Sequence, residues 1–163
     1  MGSETFSSLQ WLKKCQEELE KIKEQSPFLL VLGVSVGIEF MGKLLSTDGI
    51  DNANSCSKKF EAALDAFPSF KKYKGKNLYK LIRCGLAHRV AVKEGIILTS
   101  SKDTDLNAYP IVINATQFYE DFKKAVDEIE KHPGLNLDAT KNYVTVTSEG
   151  DTGSTTTIIT YLN

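Results

Sequence analysis

Apolar positions Leu9, Leu12, Cys15, Leu19 and Ile22 recur at three-to-four-residue spacing, which predicts an amphipathic helix over 6–25. Its other face carries Lys13, Lys14, Glu17, Glu18, Lys21 and Glu24, several as i,i+4 pairs of opposite sign. Residues 1–5 read as a loose end. Ser26 followed by Pro27 is a cap and a first-turn proline, so a second helix is expected over 27–45. It is apolar on nearly every side and should be the buried helix. Gly33 and Gly37, one turn apart, mark close helix packing. Residues 46–56 are rich in loop formers and read as an exposed connection. A short helix over 57–67 places Phe60, Ala63, Leu64 and Phe67 on one face and stops at Pro68.

A fourth helix starts near Asn77, a potential cap, with Leu78, Ile82 and Leu86 forming its apolar face. Gly85 permits a close approach near its end. The period then shortens to two: Val90 and Val92 alternate with Arg89, Ala91 and Lys93, Glu94-Gly95 reads as a turn, and residues 96–99 complete an expected hairpin over 89–100. A polar loop (100–110) and a short strand (111–113) follow. Asn114-Ala-Thr-Gln117 resembles a capping box and opens a helix to about residue 131, with Phe118, Phe122, Ala125, Val126 and Ile129 on one face. His132 stands at that helix end, where the dipole favours a cation, and is assigned a capping role. Strand-like runs over 143–147 and 155–161 predict a C-terminal hairpin within 141–161. The expected fold is mainly α, an up-and-down helical bundle with small β-hairpin additions in the middle and at the C-terminus. No internal repeat points to a solenoid.

The length of 163 residues fits a single domain, 1–163. The N-terminus lacks a secretory pattern, and the longest apolar run, 28–38, is short of the ~18–20 residues of a membrane span. Cys15, Cys56 and Cys84 are odd in number and scattered, which fits free thiols in a reducing cytoplasm. Two histidines and no paired-cysteine spacing argue against zinc, and no metal, cofactor or membrane partner is expected.

Charge changes the picture more than composition does. Net charge is −1, yet residues 71–93 hold Lys71, Lys72, Lys74, Lys76, Lys80, Arg83, Arg89 and Lys93 with no acid. Such an island is either a solvated lysine-rich face or a footprint for a phosphate-bearing ligand. The linker interleaves Phe70 and Tyr73 with lysines. That pattern suits RNA, through Lys71, Lys72, Tyr73, Lys74, Lys76 and Arg89. It equally suits a loop whose aromatics tuck into the core.

The island runs into Arg83-Cys-Gly-Leu-Ala-His88. Histidine titrates near neutrality and exchanges protons with hydroxyl and leaving oxygens; arginine clamps phosphate oxygens. Five positions apart on a helix, the two lie roughly 140° from each other, a gap a long arginine can bridge. Together they suit RNA cleavage without metal, the ribose 2′-hydroxyl attacking its own phosphate. That reaction needs an acid and a base on opposite sides of phosphorus, which a two-fold dimer presenting two copies of the pair would supply. Glu39, a lone acid on the buried helix, is either an edge carboxylate facing water or the partner that holds Arg83. Cys84 and His88, at i and i+4, form a competing nucleophilic dyad, though a cysteine among apolar neighbours is more often inert.

The stretch Leu-Tyr-Lys-Leu-Ile-Arg-Cys-Gly-Leu-Ala-His-Arg, 78–89, resembles the Arg-x4-His signature of HEPN helical domains. The 38–42 segment Ile-Glu-Phe-Met-Gly, the helix ending Phe67-Pro68 and the 118–122 segment Phe-Tyr-Glu-Asp-Phe resemble an uncharacterised bacterial HEPN-like group. The resemblance spans roughly 6–132. It implies a dimerising helical bundle and, in many members, a metal-independent endoribonuclease acting as a toxin or antiviral effector. Arg83 and His88 would be the catalytic residues, with Glu39 and Cys84 supporting them. RNA, a second copy and an antitoxin or other protein are the implied partners. Cys84 stands where the motif usually has a polar residue, commonly Asn. Val90 stands where one toxin branch has a modifiable Tyr. Other members are non-catalytic RNA- or protein-binding modules, which is the alternative reading.

Overall fold

Ser7 accepts a hydrogen bond from the Gln10 amide, and Gln10 reaches back to the Ser7 amide, so a capping box starts helix α1, Ser8–Ile22. Ser26 caps α2, Pro27–Leu44, with Pro27 in its first turn. Helix α3 is Cys56–Ala66. The computed structural model describes residues 2–46, 56–89, 91–137, 143–149 and 156–162. The fold is mainly helical. The expected connection over 46–56 falls largely outside the described residues.

Helix α2 is the centre, in contact with α1, α3, the motif helix (78–89) and α5, Ala115–Ile129. Leu30, Val31, Val34, Ile38, Met41 and Leu44 are fully buried along it. Among the described residues it is the one helix long and apolar enough to cross a membrane, and 56% of that span is buried by its neighbours. Glycines set its packing distances. A Cβ on Gly37 would lie 2.5 Å from the Phe122 ring of α5, and one on Gly33 would lie 2.3 Å from a Leu19 methyl of α1. At Gly42 the Lys59 carbonyl oxygen of α3 would be only 1.8 Å away. Close approach is therefore what these glycines serve. Asn136 closes the C-terminal end of α2, its amide donating to the Leu44 carbonyl (2.8 Å) and its side chain to that of Ser46 (2.7 Å).

The linker after α3 is a 3-10 helix, Pro68–Tyr73, whose Phe70 and Tyr73 are both fully buried. Tyr73 stacks edge-on against Phe118 and donates its hydroxyl to Asp121 (2.9 Å). The tucked-in alternative is therefore the correct one: Tyr73 has no free face for a base. Asn77 does not cap the motif helix; it sits at φ 55° and contributes only its carbonyl, to the Leu81 amide. The first turns, Tyr79–Arg83, are π-helical, closed by the Cys84 amide bonding the Tyr79 carbonyl, and an α-helical segment, α4 (Cys84–Arg89), continues them. The wider turn keeps Leu78, Ile82 and Leu86 all in the core.

The expected hairpin over 89–100 does not form. Strand β2, Ile96–Thr99, pairs in parallel with β3, Ile111–Asn114. The reason lies in 91–93, whose backbone is engaged by the motif helix. Lys93 donates to the Leu81 carbonyl (3.2 Å), and the Ala91 carbonyl sits against Gly85, where a Cβ would come within 2.8 Å. Only the second half of the run is free to be strand. The 100–110 loop then carries the chain back to a parallel position. Asn114 caps α5 as expected, but Gln117 turns away from the box. It accepts from the Thr104 amide (3.0 Å) and donates to Asp103 (2.9 Å), pinning that loop.

The C-terminal hairpin is present as β4, Tyr143–Glu149, and β5, Thr156–Leu162. Residues 2–7 are not loose: β1, Gly2–Ser7, pairs antiparallel with β4 to make a three-stranded sheet. His132 also departs from expectation. Its Nδ1 accepts from the Gly134 amide (3.1 Å) and its ring packs 5.2 Å from Phe67, so it fixes the turn after α5 rather than donating to helix carbonyls.

Candidate functional site

Glu39 is 4% exposed, a carboxylate that needs partners to stay charged in the core. It has three. The Arg83 Nε donates to Oε2 at 3.0 Å, the Lys43 ammonium lies 3.3 Å from Oε1, and the Cys56 thiol donates from the start of α3. Burial by itself would raise the Glu39 carboxyl, but the thiol and the two cations together hold it below its ordinary value. Of the two sequence readings of Glu39, the partner of Arg83 is the one the geometry bears out. Lys43 was not singled out from the sequence; its i,i+4 spacing from Glu39 was the signal for it.

The pair has a positional consequence. Only Nε of the guanidinium is occupied, and Nη1 and Nη2 have no partner among the described residues. Arg83 is thus oriented by α2 while its outer edge, on a side chain 23% exposed, stays open to a ligand. Tyr79, one turn earlier, packs its ring 5.6 Å from Phe60. Burial, then the Glu39 carboxylate, push its hydroxyl up to about 12, so it remains a neutral donor in the neutral range.

His88 stands on α4 with Ala87, both exposed, and no described residue bonds its ring. No hydrogen bond links it to Arg83: within one chain the structure joins Glu39 and Arg83, and leaves His88 facing solvent one turn beyond Cys84. Cys84 is half-buried and lines a depression of about 550 Å³ with Tyr79 and Lys80 of the same helix.

No family model, curated protein or solved structure matches this chain.

The basic linker is more dispersed than its sequence implies. Lys72 pairs with Asp121 (2.7 Å) while lying 5.0 Å from the Tyr73 ring centroid, Lys74 pairs with Asp65, and Lys76 donates to Asn107 (3.3 Å). Their partners lie on α5, α3 and the 100–110 loop, and none belongs to the Glu39 cluster. Lys71 is exposed and has no ion pair among the described residues. The side chain of Arg89 lies outside the described residues. Three of the four linker lysines therefore neutralise or bond the protein's own surface, and Tyr73 is core. Other cations stand near the motif: Lys58 of α3 and Lys80 of the motif helix are exposed and have no ion-pair partner among the described residues. No short-range pattern marks Lys58, because it faces Lys80 only once α3 packs beside the motif helix.

Proposed function

We propose that the chain is a HEPN-like, metal-independent endoribonuclease that works as a homodimer. The observation that carries this reading is the Glu39–Arg83 pair, a guanidinium held by its Nε with both terminal nitrogens open, five residues before an exposed histidine. In this reading Arg83 binds the non-bridging oxygens of the scissile phosphate and stabilises charge as the ribose 2′-oxygen attacks. His88 of one protomer removes the 2′-hydroxyl proton, and the same residue of the other protomer returns a proton to the departing 5′-oxygen. The products are a 2′,3′-cyclic phosphate and a 5′-hydroxyl end. Such an activity suits a toxin or antiviral effector, held in check by a protein partner.

One observation favours a second reading, a non-catalytic RNA- or protein-binding module. Cys84 occupies the place beside Arg83 where a polar group would assist the phosphate, and the Glu39–Arg83 pair also serves simply to fasten the motif helix to α2. Incubation of the protein with single-stranded RNA in EDTA, beside Arg83→Ala and His88→Ala, separates the two. Cleavage that falls by at least a hundredfold in His88→Ala supports catalysis. Absent cleavage, or cleavage unchanged in both variants, refutes it. Salt-sensitive binding without cleavage supports the module.

A further inference from the structure

The depression beside the motif helix has a consistent chemistry. One wall is Tyr79, Lys80 and Cys84 of the motif helix with Asn77 just before it; the other is Ser57, Lys58 and Glu61 of α3. Cys84 and His88, at i and i+4 on α4, share a helix face, so His88 stands one turn beyond the depression.

Three features point to the ligand. Lys58 and Lys80, from opposite walls, are exposed and have no ion-pair partner among the described residues, unlike Lys72 and Lys74, which the protein's own acids neutralise. Tyr79 supplies an aromatic wall, its ring fixed from behind by Phe60. Glu61 adds an acceptor to the same depression. A carboxyl lining the same depression as two cations disfavours a bare phosphate and favours a ligand carrying hydrogen-bond donors beside its negative charge. A nucleotide whose base bears an exocyclic amine has both.

We infer that this depression seats one nucleotide of a single-stranded RNA, its phosphate on Lys58 and Lys80, its amino-bearing base against Tyr79 and bonded to Glu61. The inference rests on the proposed RNA-directed function. It also assigns to Lys58 and Lys80 the electrostatic role that the linker lysines are too dispersed to fill.

The test uses binding rather than cleavage, so that it stands or falls apart from catalysis. Tetramers of 2′-O-methylcytidine and 2′-O-methyluridine, which cannot be cleaved through the 2′-oxygen, are titrated against the full chain by fluorescence anisotropy over a range of salt. The C tetramer should bind more tightly than the U tetramer, which has a carbonyl in place of the exocyclic amine, and Glu61→Leu, which has no acceptor, should remove that preference. Lys58→Ala with Lys80→Ala should weaken the C tetramer at least tenfold and flatten the salt dependence by about 0.7 log units per log unit, as expected for the loss of one phosphate contact on a single strand. The control pair, Lys102→Ala with Lys131→Ala, should change affinity less than twofold. Equal affinity for the two tetramers, or a Lys58/Lys80 loss no larger than the control's, overturns the inference. Retention of this pattern in His88→Ala, with cleavage absent from every form, would uphold the seat and refute the nuclease.

Discussion

Glu39→Gln isolates the interaction on which the site is built, because it keeps the side chain's volume and one acceptor for Arg83 while removing the charge. Glu39 is 4% exposed and meets Arg83 at 3.0 Å and Lys43 at 3.3 Å. Breaking a fully buried pair costs about 3–5 kcal/mol. The side chains of Arg83 and Lys43 are each 23% exposed, so water recovers part of the orphaned charge, and the glutamine oxygen retains a neutral hydrogen bond. The expected loss at pH 7 is about 2 kcal/mol, which for a chain of this length lowers Tm by about 4–8 °C. Urea titration at several pH values adds a second constraint. The folded-state value of the Glu39 carboxyl lies below its ordinary 4.5, so its stabilisation is complete above that pH and is lost as pH falls through the folded value. Wild type and Glu39→Gln should therefore differ by about 2 kcal/mol at pH 7 and converge toward pH 3. A double-mutant cycle with Arg83→Gln should return a coupling of about 1–2 kcal/mol. A loss below about 0.5 kcal/mol, or a gap unchanged between pH 7 and pH 3, would refute the buried-pair argument.

Three other outcomes follow from the packing and the thiols. Alanine at the close-packed glycines should destabilise in the order Gly42, Gly37, Gly33, checked by urea unfolding. At Gly42 the obstacle is the Lys59 backbone and the cost should exceed about 3 kcal/mol, whereas a Leu19 methyl can move aside for Gly33→Ala. Tyr73→Phe should cost about 1.5–3 kcal/mol, because it removes a buried hydrogen bond to the Asp121 carboxylate; a neutral result would place Tyr73 differently. Burial, then Glu18, push the Cys15 thiol up to about 11, so its alkylation by iodoacetamide should keep accelerating through pH 10, followed by peptide mass mapping.

What the chain discloses by itself depends on the range of the forces involved. The helices are legible because their signals are local. Ser26-Pro27, Asn114 and the apolar stripes of α2, α3 and α5 act within one or two turns, and their bounds fall within a few residues of expectation. Glu39 and Arg83 pair across 44 positions; the sequence offered that pairing as one of two readings, because a lone acid in an apolar helix either faces water or needs a cation, and only the packing of the two helices decides. The strands were harder. Gly2–Ser7 has no strand pattern of its own and becomes β1 by pairing with β4 at the far end of the chain. The parallel β2–β3 pair depends on the motif helix claiming the backbone of residues 91–93, which no periodicity reveals. The lysine linker misled for a related reason: local charge density says nothing about Asp121 and Asp65, which arrive from α5 and α3 to neutralise it.

The proposed chemistry is tested most directly by the ends it leaves on RNA. A single-stranded RNA and its 2′-deoxy counterpart, incubated with the protein in EDTA and resolved by mass spectrometry, should give 2′,3′-cyclic phosphate ends from the first and no cleavage of the second, with the cyclic ends reduced at least a hundredfold in His88→Ala. Cleavage of the deoxy strand, or cyclic ends undiminished in His88→Ala, would contradict the account.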